Sequence, residues 1–215
     1  QLPLHSMQAK ITFNELNLNT PLQSAIESLG YTHPTTIQHR VFPVVMSGRD
    51  VCGVAQTGTG KTLAYVLPLI RLWKYTKTKD PQVLILVPTR ELVVQVVEVV
   101  QALSAFTNLT VVGVYGGVNI NRQKEELREG ADFIVATPGR FYDLAMHGSI
   151  KLKTIKKLVL DEVDEMLNLG FATQLNNIIE LLPQRRQNLF FSATITPEVE
   201  SLMQEKFNDP LFVEA

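Results

Sequence analysis

A run of small and polar residues, Ala55-Gln56-Thr57-Gly58-Thr59-Gly60-Lys61-Thr62, separates the apolar segment Val51–Val54 from a stretch of helical pattern over residues 63–73. A strand that ends in a glycine-rich turn and feeds straight into a helix commits the chain to an α/β architecture, because the two elements must pack on one another. The same geometry makes a phosphate-binding loop. Backbone N–H groups converge on the phosphates and the positive end of the helix dipole faces them, while Lys61 reaches the β/γ oxygens and the Thr62 hydroxyl ligates Mg²⁺. The strict pattern opens with glycine, and Ala55 stands there instead. The strand before and the helix after separate the run from a mere Gly/Thr turn with a solvent lysine.

Further along, short apolar runs at 83–87, 111–114, 133–136, 158–160 and 189–191 alternate with helical patterns. That alternation predicts a mostly parallel sheet with helices on both faces. The valine-rich segment 91–105 favours a strand by propensity, but Glu91, Gln95, Glu98 and Gln101 recur at helical spacing and the segment is long for a strand, so it is expected to be a helix. Thr20-Pro21-Leu22-Gln23 reads as a capping box with proline at the first helical position, and Thr196-Pro197 opens another helix the same way. No repeat or linker interrupts residues 1–215, which are expected to form one domain.

The length of 215 residues suffices to bury a core. A formal net charge of −1 means that any polyanion must be held by a local patch or by backbone donors. The single cysteine, Cys52, lies within the strand before the loop and reads as a buried structural thiol, which suits a reducing compartment. No apolar run reaches the ~20 residues of a membrane span, and residues 1–10 lack the regions of a signal peptide. The expectation is a soluble, cytoplasmic, monomeric domain. His5, His33, His39 and His147 show no metal-ligand spacing, and Trp73 with Tyr75 is expected to finish the apolar side of the helix after the loop.

The run at 158–160 leads into Asp161-Glu162-Val163-Asp164. An aspartate at the end of an apolar strand can hold Mg²⁺ through its water shell beside a phosphate loop, and the adjacent glutamate can orient the attacking water. Ligands bind at the carboxyl ends of strands in open α/β sheets, so these loops are where the site is expected.

Taken together, Gly30-Tyr31-Thr32-His33-Pro34-Thr35-Thr36-Ile37-Gln38, the 55–62 loop, Pro88-Thr89-Arg90-Glu91-Leu92, Gly116-Gly117, Thr137-Pro138-Gly139-Arg140, Asp161-Glu162-Val163-Asp164 and Ser192-Ala193-Thr194 resemble the first RecA-like domain of DEAD-box RNA helicases. The resemblance implies a RecA-like P-loop fold of three αβα layers, with residues 13–38 as the family's Q-motif segment. It implies that Gln38 reads the adenine edge and Phe13 stacks on the base, so that ATP is preferred over GTP. Lys61, Thr62, Asp161 and Glu162 would then be catalytic, with Thr62 and Asp161 toward the metal. Asp164, Ser192 and Thr194 match elements that couple nucleotide state to domain closure. Pro88, Thr89, Arg90, Gly116, Gly117, Thr137, Pro138, Gly139 and Arg140 match loops that hold the RNA backbone. Glu91, Asp132 and Asp143 lie near enough in sequence to offer either arginine an ion pair instead.

Two departures stand out. Val163 replaces the alanine of the family's name and needs room for its branch, and no second RecA-like domain with its arginine fingers follows the segment at 211–213. Arg185-Arg186 precedes a strand and offers no finger. The implied function is the ATP-binding domain of an ATP-dependent RNA helicase, poorly active by itself. A nucleotide-gated RNA clamp or scaffold is the other reading; an unrelated P-loop ATPase is disfavoured by Gln38 and the 88–92 segment.

Overall fold

The structure is a computed structural model and describes residues 11–215; His5 and the stretch 1–10 lie outside the described residues. Its strands are β1 (Val51–Val54), β2 (Val83–Leu86), β3 (Val111–Val114), β4 (Phe133–Ala136), β5 (Lys157–Leu160), β6 (Gln187–Ser192) and β7 (Leu211–Glu214). They form one sheet in the order β3-β4-β2-β5-β6-β1-β7, and every adjacent pair is parallel. The expected α/β class is therefore met with a fully parallel sheet.

Burial alternates along the strands with the period of two that a pleated sheet imposes. Val83, Ile85 and Val87 join one apolar cluster, whereas Leu84 and Leu86 join the other. Helices α1 (Thr20–Ser28), α2 (Thr36–Met46), α3 (Lys61–Leu72) and α4 (Arg90–Leu103) cover the first face. The second is covered by α6 (Pro138–Met146), α7 (Val163–Asn168), α8 (Ala172–Leu181) and α9 (Pro197–Lys206), with the polar α5 (Ile120–Arg128) beside β3. Because βαβ crossovers run one way, all the carboxyl ends of the strands fall on one edge.

The valine-rich α4 is helical because Val93, Val96, Val100 and Leu103 place one apolar stripe on the sheet. Period overrides propensity there. The first helix starts differently from expectation: Asn19 is its cap, accepting from the Leu22 N–H at 3.3 Å, so Thr20 and Pro21 already lie inside the helix. Thr196 does cap α9 by accepting from the Val199 N–H. The segment at 211–213 pairs with β1 as the seventh strand, and Tyr75, expected to finish the apolar side of α3, is exposed beyond the helix end. Cys52 is fully buried and its thiol is pushed up to about 12 by desolvation, which keeps it protonated and inert.

Candidate functional site

Ala55 follows β1 and is buried, its N–H bonded to the Ser192 carbonyl at 3.1 Å. Its backbone does not enter the positive-φ region, so an alanine fits where the strict pattern has glycine. Gln56, Thr57 and Gly58 are exposed along the turn, and the Thr59 hydroxyl closes it by donating to the Gln56 carbonyl at 2.8 Å. Gly60 then takes φ 83°, and α3 begins at Lys61 with no side-chain cap on its first N–H groups. Those donors are left for a ligand.

Gly60 is constrained twice. A Cβ there would meet the Gln38 Nε2 at 2.5 Å, and φ 83° is strained for any other residue. Gly60→Ala is therefore expected to push Gln38 aside, distort the turn and weaken ADP binding by more than about tenfold. Calorimetric titration of the variant checks this, and near-normal affinity would contradict it.

Gln38 binds the phosphate loop to the N-terminal segment. Its Oε1 accepts from the Thr35 N–H at 2.9 Å in a capping box, and its Nε2 donates to the Gly60 carbonyl at 3.1 Å. One amide hydrogen and one lone pair are left over. Phe13, in a 3₁₀ turn at Phe13–Glu15, is 4% exposed; it anchors the N-terminal segment in the core and also lines a cavity of about 670 Å³. That cavity is walled further by Tyr31, His33, Gln38, Thr57, Gly58, Gly60, Lys61, Thr62 and Glu162. Its size is that of a cofactor site.

The acidic segment follows β5 at the centre of the sheet. Asp161 and Lys61 are both buried, with Nζ 3.1 Å from Oδ1 and 3.9 Å from the Glu162 carboxylate. Asp161 also accepts from the Glu162 N–H on Oδ1 and, at 2.9 Å, from the Tyr65 hydroxyl on Oδ2. Burial first and Asp161 second hold Tyr65 well above its ordinary range, although contact with the Thr62 hydroxyl pulls the other way, so it remains a donor. Tyr65 escaped the sequence reading. The signal was there: it lies four residues after Lys61 on the same helical face.

Glu162 has φ 54° and ψ 49°, a left-handed conformation that costs on the order of 1–3 kcal/mol for a residue with a side chain. Desolvation raises its carboxyl above the usual range; Lys61 opposes this, and Asp161, Asp164 and Glu165 add to it. A carboxylate with raised proton affinity at the mouth of a cavity is suited to general-base work. Asp164, two residues on, accepts from the Thr194 hydroxyl at 2.9 Å and its N–H at 3.2 Å. The Ser192 hydroxyl accepts from the Asp164 N–H and donates to the Thr194 carbonyl. The two segments are thereby joined across β5 and β6.

Strands β3, β4 and β2 are neighbours, so the loops carrying Gly116-Gly117, Thr137 to Arg140 and Pro88 to Arg90 lie side by side on the same edge. Pro88 and Pro138 are buried and lack N–H groups, so they shape these loops and cannot donate from them. Thr89 caps α4 by accepting from the Leu92 N–H, whereas Thr137 leaves the first turn of α6 without a side-chain cap. Arg90 is exposed and stacks over the Tyr115 ring at 5.0 Å. The Arg140 guanidinium bonds to Val118 and Gln123, and none of Glu91, Asp132 or Asp143 forms a salt bridge with it.

A model of the DEAD/DEAH box helicase family matches residues 35–202, which include the phosphate loop, the acidic segment and all three of these loops. The chain belongs to the DEAD/DEAH box helicase family. It is similar to DEAD-box ATP-dependent RNA helicase 28 of Arabidopsis thaliana, 44% identical over 95% of this chain and 26% of that protein. ATP-dependent RNA helicase CshA of Limosilactobacillus reuteri is also 44% identical, over 92% of this chain and 40% of that protein. A crystal structure of a DEAD box protein from Methanococcus jannaschii superposes with a TM-score of 0.90 at 36% identity, covering 95% of this chain and 56% of the other. The chain thus spans about a quarter of the length of its first relatives. The RecA-like fold expected from the motifs agrees with that structural match.

Within the family's pattern, Val163 finds its room in the second apolar cluster, where it is fully buried with Leu160 and Met166. The departure from alanine is absorbed by packing. Among the described residues, no helix is long and apolar enough to cross a membrane.

Proposed function

We propose that this chain binds ATP and hydrolyses it to ADP and phosphate as the nucleotide half of an ATP-dependent RNA helicase. The observation that carries the reading is the meeting of Lys61 with buried Asp161 and with Glu162 at the uncapped start of α3, where Lys61 and Glu162 line a cavity that Phe13 and Gln38 also wall. In it, Lys61 and the α3 N–H groups hold the phosphates, and Glu162 takes a proton from the attacking water. Thr62 and Asp161 fit Mg²⁺: one hydroxyl and one carboxylate suit an ion that keeps waters and completes its shell with phosphates. When bound, Mg²⁺ neutralises charge on the phosphates.

RNA is proposed to lie along the neighbouring loops, held by its sugar-phosphate backbone through Arg90, the glycine loop and the start of α6, in a sequence-tolerant and salt-dependent way. The greater length of the relatives, of which the chain covers 26% and 40%, supports a second RecA-like domain as the partner that completes both sites. In the intact protein, hydrolysis would drive local duplex unwinding or ribonucleoprotein remodelling. The Asp164, Ser192 and Thr194 contacts are proposed to report nucleotide state to that partner. The single thiol, Cys52, suits a reducing compartment such as the cytoplasm.

Two experiments test these halves. ADP is expected to bind more tightly than GDP, and Gln38→Ala to erase most of the difference, because the amide donates and accepts at once. Equal affinities in the unmodified chain, measured by calorimetry, would remove Gln38 from base selection. Phosphate release with and without RNA then separates hydrolysis from a clamp that nucleotide merely gates.

A further inference from the structure

Helix α5 reads Ile-Asn-Arg-Gln-Lys-Glu-Glu-Leu-Arg, and Gln123 is its one buried residue, at 4% exposure. A buried amide on an otherwise solvated helix must have both ends satisfied. Here the Nε2 donates to the Tyr115 carbonyl at 3.1 Å and the Oε1 accepts from the Arg140 Nη1 at 2.9 Å. A carbonyl only accepts and a guanidinium only donates, so the orientation of the amide is fixed. Arg140 reaches past it, giving the Val118 carbonyl one bond from each terminal nitrogen, both at 3.1 Å.

The two carbonyls gripped in this way, those of Tyr115 and Val118, flank Gly116-Gly117. Both glycines are left exposed, and Gly117 takes φ 80°, a shape the grip holds and a side chain would resist. The Tyr115 ring in turn carries Arg90. One amide on α5 therefore links the segments that follow β3 and β4, and the Tyr115 ring extends the contact to Arg90 beyond β2.

We propose that Gln123 and Arg140 form a brace that sets the glycine loop, and that Arg140 is a positioning residue acting through this loop and not a phosphate contact. The inference rests on the reading of these loops as the RNA surface. It separates two roles that charge alone would merge. A phosphate contact releases a counterion, and losing it lowers the slope of log affinity against log salt by about one. Losing a brace weakens binding at every salt concentration and leaves the slope where it was. Lysine can replace arginine on a phosphate but cannot make the forked bonds to Val118 and Gln123.

The test is a salt series of anisotropy titrations with single-stranded RNA on the intact protein. Gln123→Met and Arg140→Met are each expected to weaken RNA binding by roughly tenfold, as for lost hydrogen bonds that order a loop, with unchanged slope. Arg140→Lys should behave like Arg140→Met, and the double variant should be no worse than either single one. ADP affinity should stay within about twofold in each, which a globally damaged fold would not allow. Should Gln123→Met fail to fold, Gln123→Glu keeps an acceptor for Arg140 but loses the bond to Tyr115, and full RNA affinity in that variant overturns the brace. A slope lowered by about one in Arg140→Met, with Gln123→Met binding normally, overturns it too and makes Arg140 a direct contact. An unmodified protein that binds no RNA at low salt removes the RNA surface itself, and the brace with it.

Discussion

Replacing Glu162 by glutamine should cut ATP hydrolysis by about 10²–10⁴-fold while ADP affinity changes by less than about twofold. The amide keeps the shape of the side chain but cannot take a proton, and the Lys61 and Asp161 contacts that hold the loop remain. Glu162 sits in a left-handed backbone conformation with its carboxyl desolvated, an arrangement that is unfavourable for the fold and useful for a base. Because its folded pKa is raised, the stability tied to the protonated form is complete below the unfolded pKa and is lost as pH rises through the folded one. At neutral pH the ionised group is therefore a burden, and Glu162→Gln should raise the melting midpoint by roughly 1–3 °C. Hydrolysis by the unmodified protein should fall on the acid side at a pH above the ordinary glutamate range. Phosphate release and melting curves read both effects; near-normal turnover in the glutamine variant would remove Glu162 from the role.

Taken by itself, the 215-residue chain should bind ADP yet hydrolyse ATP slowly, and joining a second RecA-like domain to it should raise the rate by about 10³–10⁵-fold. Among the described residues, Lys61 is the cation in the cavity lining and no arginine contributes to it. Arg185 and Arg186 precede β6, at the opposite edge of the sheet, where Arg186 bonds to Asn188 and the Pro183 carbonyl. Arg140 is held by Val118 and Gln123. An arginine supplied in trans stabilises charge that develops only in the transition state, so its effect falls on turnover and not on nucleotide affinity. Single-turnover hydrolysis by the chain alone and by the two-domain protein measures this directly; equal rates would place the whole catalytic apparatus within one fold.

Elements with a strong period were legible from sequence, including α4, whose buried valines outweighed their strand propensity. The placement of Lys61, Asp161 and Glu162 was legible for the same reason: they follow strands, and parallel topology carries them to one edge. Contacts made across the fold were not. Gln123 is one polar residue in a polar helix, and only the approach of Tyr115 after β3 and of Arg140 in α6 gives it partners. Tyr65 went unnoticed because a hydroxyl leaves no mark on an apolar period, although its spacing from Lys61 pointed at the site. Asn19 displaced the expected cap because it reaches the Leu22 N–H from outside the helix. The strand at Leu211–Glu214 is short and at an edge, with one buried residue, so its only signal was a few apolar positions.

One edge of this sheet is proposed to carry a nucleotide site and an RNA surface that act together. Single-turnover ATP hydrolysis by the two-domain protein, with and without single-stranded RNA, tests it most directly. RNA should accelerate phosphate release by at least about tenfold, and Arg90→Met should shift the RNA dependence to higher concentration without changing ADP affinity. A rate that is the same with and without RNA, in a protein that binds both, would contradict that coupling.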